Sequence, residues 1–111
     1  MWRDDAYLLD ILIAARHANE FMAGLSREEF DRSRLHQDAV VKELEIIGEA
    51  TRKLSRTFKK QHSEIPWHDL TAMRNRLIHE YFRIDVDEVW EIVTHNIPEL
   101  IRKIEPLVPP E

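Results

Sequence analysis

The sequence predicts an all-α protein, an up-and-down antiparallel bundle of four long helices and one short helix. Only two glycines occur in 111 residues, and charged and hydrophobic residues make up 33% and 43% of the chain, a mixture typical of amphipathic helices. Apolar residues recur every three or four positions, and the short connections between these segments favour antiparallel neighbours. The length fits a single domain over residues 1–111.

The first two helices are delimited by turn and capping signals. Gly24 is the expected stop signal of the first helix. Ser26 and Glu29 match a capping box, in which side chains satisfy free backbone amides, so a short helix is expected near residues 27–32. The apolar face of the first helix consists of Leu8, Ile11, Leu12, Ala15, Ala18 and Phe21 or Met22.

A long third helix is predicted over residues 34–61. Gly48 lies inside it and costs about 1 kcal/mol relative to alanine, so a close crossing with another helix is expected there. Its apolar stripe consists of Val40, Leu44, Ile47, Thr51, Leu54 and Phe58.

The last two helices are predicted to begin at Pro66 and near Asp85. Pro66 suits a first helical turn, and Asp85 with Glu88 resembles a second capping box. Pro98 removes the backbone bond to the carbonyl of Thr94, so a kink is expected there, before the stripe continues to residue 106. The fourth helix carries Trp67, Leu70, Met73, Leu77 and Tyr81 on one face, and the last carries Val86, Val89, Trp90, Val93, Ile97, Leu100, Ile101 and Ile104.

Composition also limits the function classes. The chain has no cysteine, which excludes disulfides and thiolate metal sites. Asp4, Asp5 and Asp10 interrupt the first residues, so neither a signal peptide nor a membrane span is expected, and a cytoplasmic location is predicted. Histidines and carboxylates do not cluster at metal-ligand spacing, and no glycine-rich phosphate loop occurs, so no metal or cofactor is expected.

Charge is unevenly distributed along this acidic chain, whose net charge is −5. Residues 51–62 contain five cations and no acid, and two interpretations are open. The run is either a solvated helix face or a surface that docks RNA or a protein partner. The five cations are Arg52, Lys53, Arg56, Lys59 and Lys60.

Residues 74–81, which read RNRLIHEY, contain the most informative combination of side chains. Arginine binds phosphate oxygens through a planar fork of donors, and histidine transfers protons near neutral pH without a metal. His79 could act as base or acid on a ribose hydroxyl, while Arg74 stabilises charge on the attacked phosphate and Asn75 orients either partner. Such a site could cleave RNA, although one histidine leaves the second proton donor unassigned.

The spacing alone is weak support, because composition gives roughly two chance pairs of this kind and the chain holds two. The second pair, Arg56 with His62, ends a lysine-rich segment. In the competing interpretation, Arg74 pairs with an acid such as Glu45 or Glu49, His79 lies on the surface, and Tyr81 packs in the core.

Helical geometry constrains the catalytic interpretation. Positions five apart differ by about 140° around a helix axis, so Arg74 and His79 would not stack in a straight helix. They could reach one phosphate from two sides, the helix could loosen after Ile78, or a second subunit could complete the pocket. Each arrangement predicts a cleft along this helix, and the third also predicts a homodimer.

The same residues resemble the HepT-like branch of the HEPN superfamily. The arginine, polar residue, histidine and tyrosine pattern of residues 74–81 is far more specific than the bare pair. The likeness extends over nearly the whole chain. Further matching segments are residues 46–50 (IIGEA), 65–67 (IPW), 73–82 and 89–100.

This resemblance implies a helical bundle that dimerises with the motif in a cleft near the interface. It implies a metal-independent RNase, the toxin of a type VII toxin–antitoxin pair, whose target is messenger or transfer RNA. Arg74 and His79 carry the catalytic roles, with Asn75 at the supporting polar position. The antitoxin of such a pair is a small nucleotidyltransferase that transfers AMP to the motif tyrosine, here Tyr81.

Two other functions remain open from sequence. Overall acidity and the missing second proton donor suit a non-catalytic helical adaptor that binds and regulates a nucleotidyltransferase. The basic run at residues 52–60 suits an RNA-binding subunit without chemistry.

Overall fold

A computed structural model describes residues 2–80 and 83–110, with the side chains at positions 2, 74 and 78–80 outside that description. Helices dominate the described chain, which confirms the all-α class, and none of these helices is long and apolar enough to cross a membrane. In chain order the elements are α1 (Trp2–Phe21), α2 (Arg27–Asp31), α3 (Arg34–Lys53), α4 (Arg56–Gln61), α5 (Trp67–Thr71), α6 (Met73–Leu77), β1 (Ile78–Glu80), β2 (Arg83–Ile84), α7 (Val86–Glu91), a π-helical turn (Ile92–Asn96), α8 (Ile97–Ile104) and a 3-10 turn (Glu105–Leu107).

The two longest helices, α1 and α3, lie antiparallel. His17 Nδ1 is 3.5 Å from a carboxylate oxygen of Glu43, whereas Lys53 Nζ is 5.9 Å from the ring centre of Tyr7. Positions therefore rise along one helix as they fall along the other. Most of each predicted stripe is buried in the core, whereas at the end of the first stripe Phe21 is exposed and Met22 is half-buried. The buried members are Leu8, Ile11, Leu12, Ala15 and Ala18 on α1 and Val40, Leu44, Ile47 and Thr51 on α3.

The ends of α1 and α2 follow the predicted signals. Gly24 has a φ of +73°, the left-handed conformation that glycine adopts without strain, so it ends the first helical segment as expected. The Ser26 hydroxyl accepts from the Glu29 amide at 3.1 Å, and the Glu29 carboxylate accepts from the Ser26 amide at 2.9 Å. The capping box is confirmed.

The predicted helix over residues 34–61 is wrong at Leu54 and Ser55, where the chain becomes extended between α3 and α4. The carboxylate of Asp4, on α1, accepts from the Ser55 amide at 2.8 Å and from its hydroxyl at 2.7 Å. The Ser55 hydroxyl in turn accepts from the Phe58 amide at 3.1 Å and caps α4. A contact spanning 51 positions therefore divides the helix, which a local pattern does not reveal.

Gly48 marks the predicted close crossing, between α3 and α5. A Cβ atom at this position would lie 3.1 Å from the carbonyl oxygen of Leu70 and 3.6 Å from that of Thr71. The missing side chain allows the two backbones to approach, and it fixes the position of α5 against the bundle.

The predicted fourth helix is wrong in its last turn. It is interrupted at Ala72 and ends at Leu77, after which the chain forms β1 and pairs antiparallel with β2. The Asp85 amide donates to the Leu77 carbonyl at 2.7 Å, which closes this small hairpin onto the end of α6. Tyr81, expected on the apolar face of the helix, lies outside the described residues.

The C-terminal segment accommodates Pro98 by a change of helix type. The amide of Ile97 donates to the carbonyl of Ile92, the wider bonding of a π-helical turn, immediately before the proline. Asp85 caps α7 by accepting from the Glu88 amide at 3.0 Å. The predicted apolar stripe on both sides of the proline is buried at Ile97, Leu100 and Ile104, and Ile101 is half-buried.

Candidate functional site

The motif residues occupy two different elements. Arg74 and Asn75 belong to α6, whereas His79 belongs to β1. The 140° separation calculated for a straight helix therefore does not apply, because the helix ends two residues before His79. Loosening of the helix was one of the three predicted arrangements, and the backbone loosens one residue earlier than expected. The side chains of Arg74 and His79, like all of Tyr81, lie outside the described part of the chain.

Three contacts fix α6 in the bundle. Met73 and Leu77 are buried in the core, and Arg76 forms an ion pair with Glu88 of α7. Met73 and Leu77 are four positions apart and therefore lie on one face of the helix. Asn75 lies between them in sequence and is exposed. The motif segment is thus held by its apolar face while a polar motif residue reaches solvent.

A groove of about 400 Å³ lies between α3 and the α5–α6 segment, and Asn75 lines it. A cleft in this position is what each of the three predicted arrangements requires. Its floor includes Gly48, so the close crossing that sets the position of α5 also shapes the groove. The remaining lining residues are Lys42, Glu45, Ile46, Glu49, Arg52 and Thr71.

Charges of both signs line this groove. Arg52 Nη2 donates to a carboxylate oxygen of Glu49 at 2.6 Å, and Lys53 Nζ lies 4.0 Å from the same carboxylate. The hydrogen bond from Arg52 lowers the pKa of Glu49 and raises that of Arg52. Glu49 is therefore already engaged by two cations, and Arg74 would be a third if it paired there.

Sequence reasoning missed two lining residues, Lys42 and Thr71. The signal was present on α3, where Lys42, Glu45 and Glu49 follow helical spacing around Gly48. It is weak, because the groove is formed only when α5 packs across that glycine. No group of three or more histidine, aspartate and glutamate side chains suited to hold a metal ion occurs within residues 2–80 and 83–110.

Comparison with known proteins identifies the family. The family described as ribonuclease HepT-like matches residues 11–107 of the chain. The chain belongs to the HepT-like family. The matched range of this HepT-like chain includes the groove, α6, both strands and the whole motif.

Three curated relatives match the HepT-like chain over nearly their full lengths. A protein described as a probable ribonuclease HepT, from Thermococcus cleftensis, is 43% identical over 101 residues, which cover 91% of this chain and 92% of that protein. A protein described as a candidate RNase, from Caldanaerobacter subterraneus subsp. tengcongensis, is 37% identical over 105 residues, covering 95% and 94%. Another, from Methanocaldococcus jannaschii, is 37% identical over 100 residues, covering 90% and 92%. No solved structure matches the chain.

Proposed function

We propose that this HepT-like chain is a metal-independent endoribonuclease and the toxin of a type VII toxin–antitoxin pair. The observation that carries the proposal is the family match over residues 11–107, which includes the arginine and histidine of the motif. Relatives described as RNases at 37–43% identity support the activity. The groove beside Asn75 supplies a place for an RNA strand.

The chemistry needs two side chains of this segment. The imidazole of His79 removes the proton of a ribose 2′-hydroxyl, and the freed oxygen attacks the adjacent phosphorus. The bond from phosphorus to the next ribose oxygen breaks, leaving a cyclic phosphodiester on one fragment, and the departing oxygen takes up a proton. Arg74 stabilises the extra negative charge of the transition state through its fork of donors, and Asn75 orients the phosphate.

A homodimer supplies the missing proton donor. Each chain has one histidine in the motif, whereas the reaction removes one proton and delivers another. Pairing two copies of the α6–β1 segment across a two-fold axis brings two imidazoles to one cleft, one neutral and one protonated near neutral pH. A protein that is monomeric by light scattering, yet fully active, would contradict this part of the proposal.

A nucleotidyltransferase antitoxin would inhibit RNA cleavage by acting on the positive charge of Arg74. The phenolic oxygen of Tyr81 attacks the α-phosphate of ATP, and pyrophosphate leaves. The adenylyl group brings a negative phosphate and a bulky base to a position seven residues after Arg74 in sequence. The new phosphate occupies the arginine fork and repels the RNA backbone. Intact-mass analysis after co-expression with a nucleotidyltransferase encoded beside this chain tests the step, and Tyr81→Phe should abolish the mass increase.

Cleavage of RNA by the purified, unmodified protein in EDTA tests the activity. His79→Ala should lower the rate about 10²- to 10⁴-fold, and Arg74→Ala about 10²- to 10³-fold. His68→Ala and Arg32→Ala are matched controls, because both residues are exposed and lie outside the motif. Absence of cleavage, or equal cleavage by His79→Ala, would reject the ribonuclease. Tight binding of a nucleotidyltransferase that Arg74→Ala leaves unchanged, without RNA cleavage, would instead establish the adaptor.

A further inference from the structure

Cations without a carboxylate partner are concentrated on α4. The side chains of Arg56, Lys59 and Lys60 form no hydrogen bond or ion pair with any residue that the structure describes, and Lys42 is the one other described lysine or arginine side chain in that state. The chain contains 21 aspartates and glutamates and 16 lysines and arginines, so a shortage of acids does not explain the cluster. The cations paired with acids are Arg16, Arg27, Arg32, Arg34, Arg52, Lys53, Arg76, Arg102 and Lys103.

The three cations share one face of α4. Arg56, Lys59 and Lys60 stand at positions i, i+3 and i+4, which are neighbours on a helix surface with Cβ atoms about 5–6 Å apart. The six residues of α4 include no acid. Like charges at these spacings repel one another and destabilise the helix by a few tenths of a kcal/mol per pair.

Helix stability does not account for this arrangement. Lys59 and Lys60 in the last turn complement the helix dipole, but Arg56 lies in the first turn, where a cation is unfavourable. A surface that costs stability and keeps its charges unpaired is typical of a binding surface for an anionic ligand.

Side-chain contacts connect α4 to α1 and to α5, the helix that precedes α6 and the motif. Asp4 fixes Ser55 at its start, and the ring of Phe58 lies 6.0 Å from that of Trp67. Trp67 Nε1 also donates to the carbonyl of His62 at 2.9 Å. Trp67 and Arg74 are seven positions apart, which corresponds to about 10 Å along a continuous helix and to no more than about 25 Å for a fully extended chain, so a few nucleotides span the distance despite the interruption at Ala72.

We propose that Arg56, Lys59 and Lys60 form an α4 docking surface for the phosphate backbone of the single-stranded RNA substrate, a few nucleotides from the scissile bond. This inference rests on the proposed function. The three residues are positioning residues: they contact phosphates that do not react, and they hold the strand in register with the groove. Phosphates of one strand follow one another at a spacing that suits cations on a single helix face.

RNA suits this surface better than an acidic protein does. The half-buried rings of Phe58 and His62 lie 4.5 Å apart on α4 and at its C-terminal cap, beside the cations. Because Phe58 also packs against Trp67, His62 is the ring of this pair that can stack with a base. An aromatic ring next to a basic strip provides stacking for a base as well as charge for phosphates, the combination by which single strands are bound.

Binding of a labelled single-stranded RNA of about twelve nucleotides tests the proposal. The protein carries His79→Ala to prevent cleavage, and fluorescence anisotropy gives the dissociation constant over a series of salt concentrations. The triple variant Arg56→Gln, Lys59→Gln, Lys60→Gln should bind roughly 10- to 50-fold more weakly at physiological salt. Its logarithmic salt slope should be smaller by about 2, because each lost phosphate contact on a single strand contributes about 0.7.

The matched control is the triple variant Arg32→Gln, Arg34→Gln, Arg102→Gln. It changes the net charge from −5 by the same three units, and its arginines are exposed and paired with acids three or four positions earlier or later in the chain. The control should bind within about twofold of the parent. Equal affinities of the two triple variants would overturn the proposal, and circular dichroism verifies that both variants are folded.

Cleavage by protein with an intact motif separates docking from chemistry. For a dinucleotide, which is too short to reach α4, the α4 variant should match the unmodified protein. For the longer RNA its KM should rise while kcat is retained, whereas a fall in kcat on the dinucleotide would overturn the positioning role.

Two further outcomes distinguish this inference from the proposed function. If the unmodified protein binds RNA through α4 but never cleaves it, the docking surface stands and the ribonuclease fails. If the α4 variant keeps its affinity for RNA and loses its complex with the nucleotidyltransferase, the surface docks a protein and the inference fails.

Discussion

The α1–α3 pair and the segment from Pro66 to Asp85 are built in opposite ways. The pair consists of two uninterrupted helices of 20 residues, whose apolar stripes are buried against each other. The segment consists of two helices of five residues and two strands of three and two residues. The motif lies in the irregular segment, not in the regular pair.

This difference separates stability from chemistry. Long helices bury continuous apolar faces and provide most of the favourable free energy of folding. Short elements bury little apolar surface of their own. Where the chain changes direction between them, however, side chains that would point to different sides of a single helix can face the same site. Substitutions in the pair should therefore change the free energy of unfolding, and those in the segment should change activity. Three predictions test this division.

The largest effect on stability is expected for Leu44→Ala, in the centre of α3. Leu44 is completely buried, so the substitution leaves a cavity and should lower the free energy of unfolding by about 2–5 kcal/mol. Leu35→Ala is the matched control, because Leu35 lies on the same helix and is 77% exposed. Urea denaturation measures the free energy of unfolding of both variants. Equal losses would show that burial between α1 and α3 does not determine stability. Cleavage by folded Leu44→Ala protein should remain normal.

Gly48→Ala should lower both the stability that depends on the α1–α3 pair and the activity that depends on the motif segment. The added methyl group would lie 3.1 Å from the Leu70 carbonyl oxygen, which accepts a hydrogen bond from Ala72 and cannot easily move away. We expect a loss of about 1–2 kcal/mol in the free energy of unfolding, because the contact outweighs the gain in helix propensity. Cleavage activity should fall as well, since α5 and α6 shift together.

Whether Gly48→Ala lowers or raises the free energy of unfolding tests how close the crossing is. An alanine in an open helical position would raise stability by about 1 kcal/mol relative to glycine. A more stable Gly48→Ala protein with unchanged activity would show that the crossing is loose and does not position the motif.

The same division explains what the sequence could predict. Stripes on α1, α3 and α8, the glycine that ends α1, and the capping box at Ser26 depend on local spacing, and all were predicted. The break at Leu54 and Ser55 depends on Asp4, 51 positions away, which no local pattern reports. The end of α6 at Leu77 was missed because the apolar spacing continues to Tyr81.

The site was predicted less completely than the fold. Asn75 lies at a groove, as the catalytic interpretation requires, whereas the roles of Arg74, His79 and Tyr81 stay predictions. The groove itself was not predictable in detail, because Lys42 and Thr71 come to line the same groove only when α5 packs across Gly48. Pattern identifies residue types suited to a reaction, and tertiary packing determines which others join them.

The smallest effect is expected at the exposed capping box of α2, which lies outside the motif segment. Hydrogen bonds from Ser26 hold the pKa of Glu29 below its ordinary value of 4.5. Because the folded-state pKa is lowered, the charged Glu29 stabilises the protein above the unfolded-state pKa. This contribution is lost as the pH falls through the folded-state pKa. Glu29→Gln should therefore be less stable than the unmodified protein at neutral pH, and the difference should shrink in acid.

Thermal unfolding at neutral pH and below pH 4 or so measures this change. Glu28→Gln removes the same charge from the neighbouring position of α2 and serves as the control. Cleavage at neutral pH should be equal in all three proteins, since α2 contributes to the scaffold alone. A stability difference for Glu29→Gln that does not change with pH would assign the effect to the shape of the side chain, because only the ionised carboxylate gains from the cap. A loss of activity in Glu29→Gln would contradict the division between scaffold and motif segment.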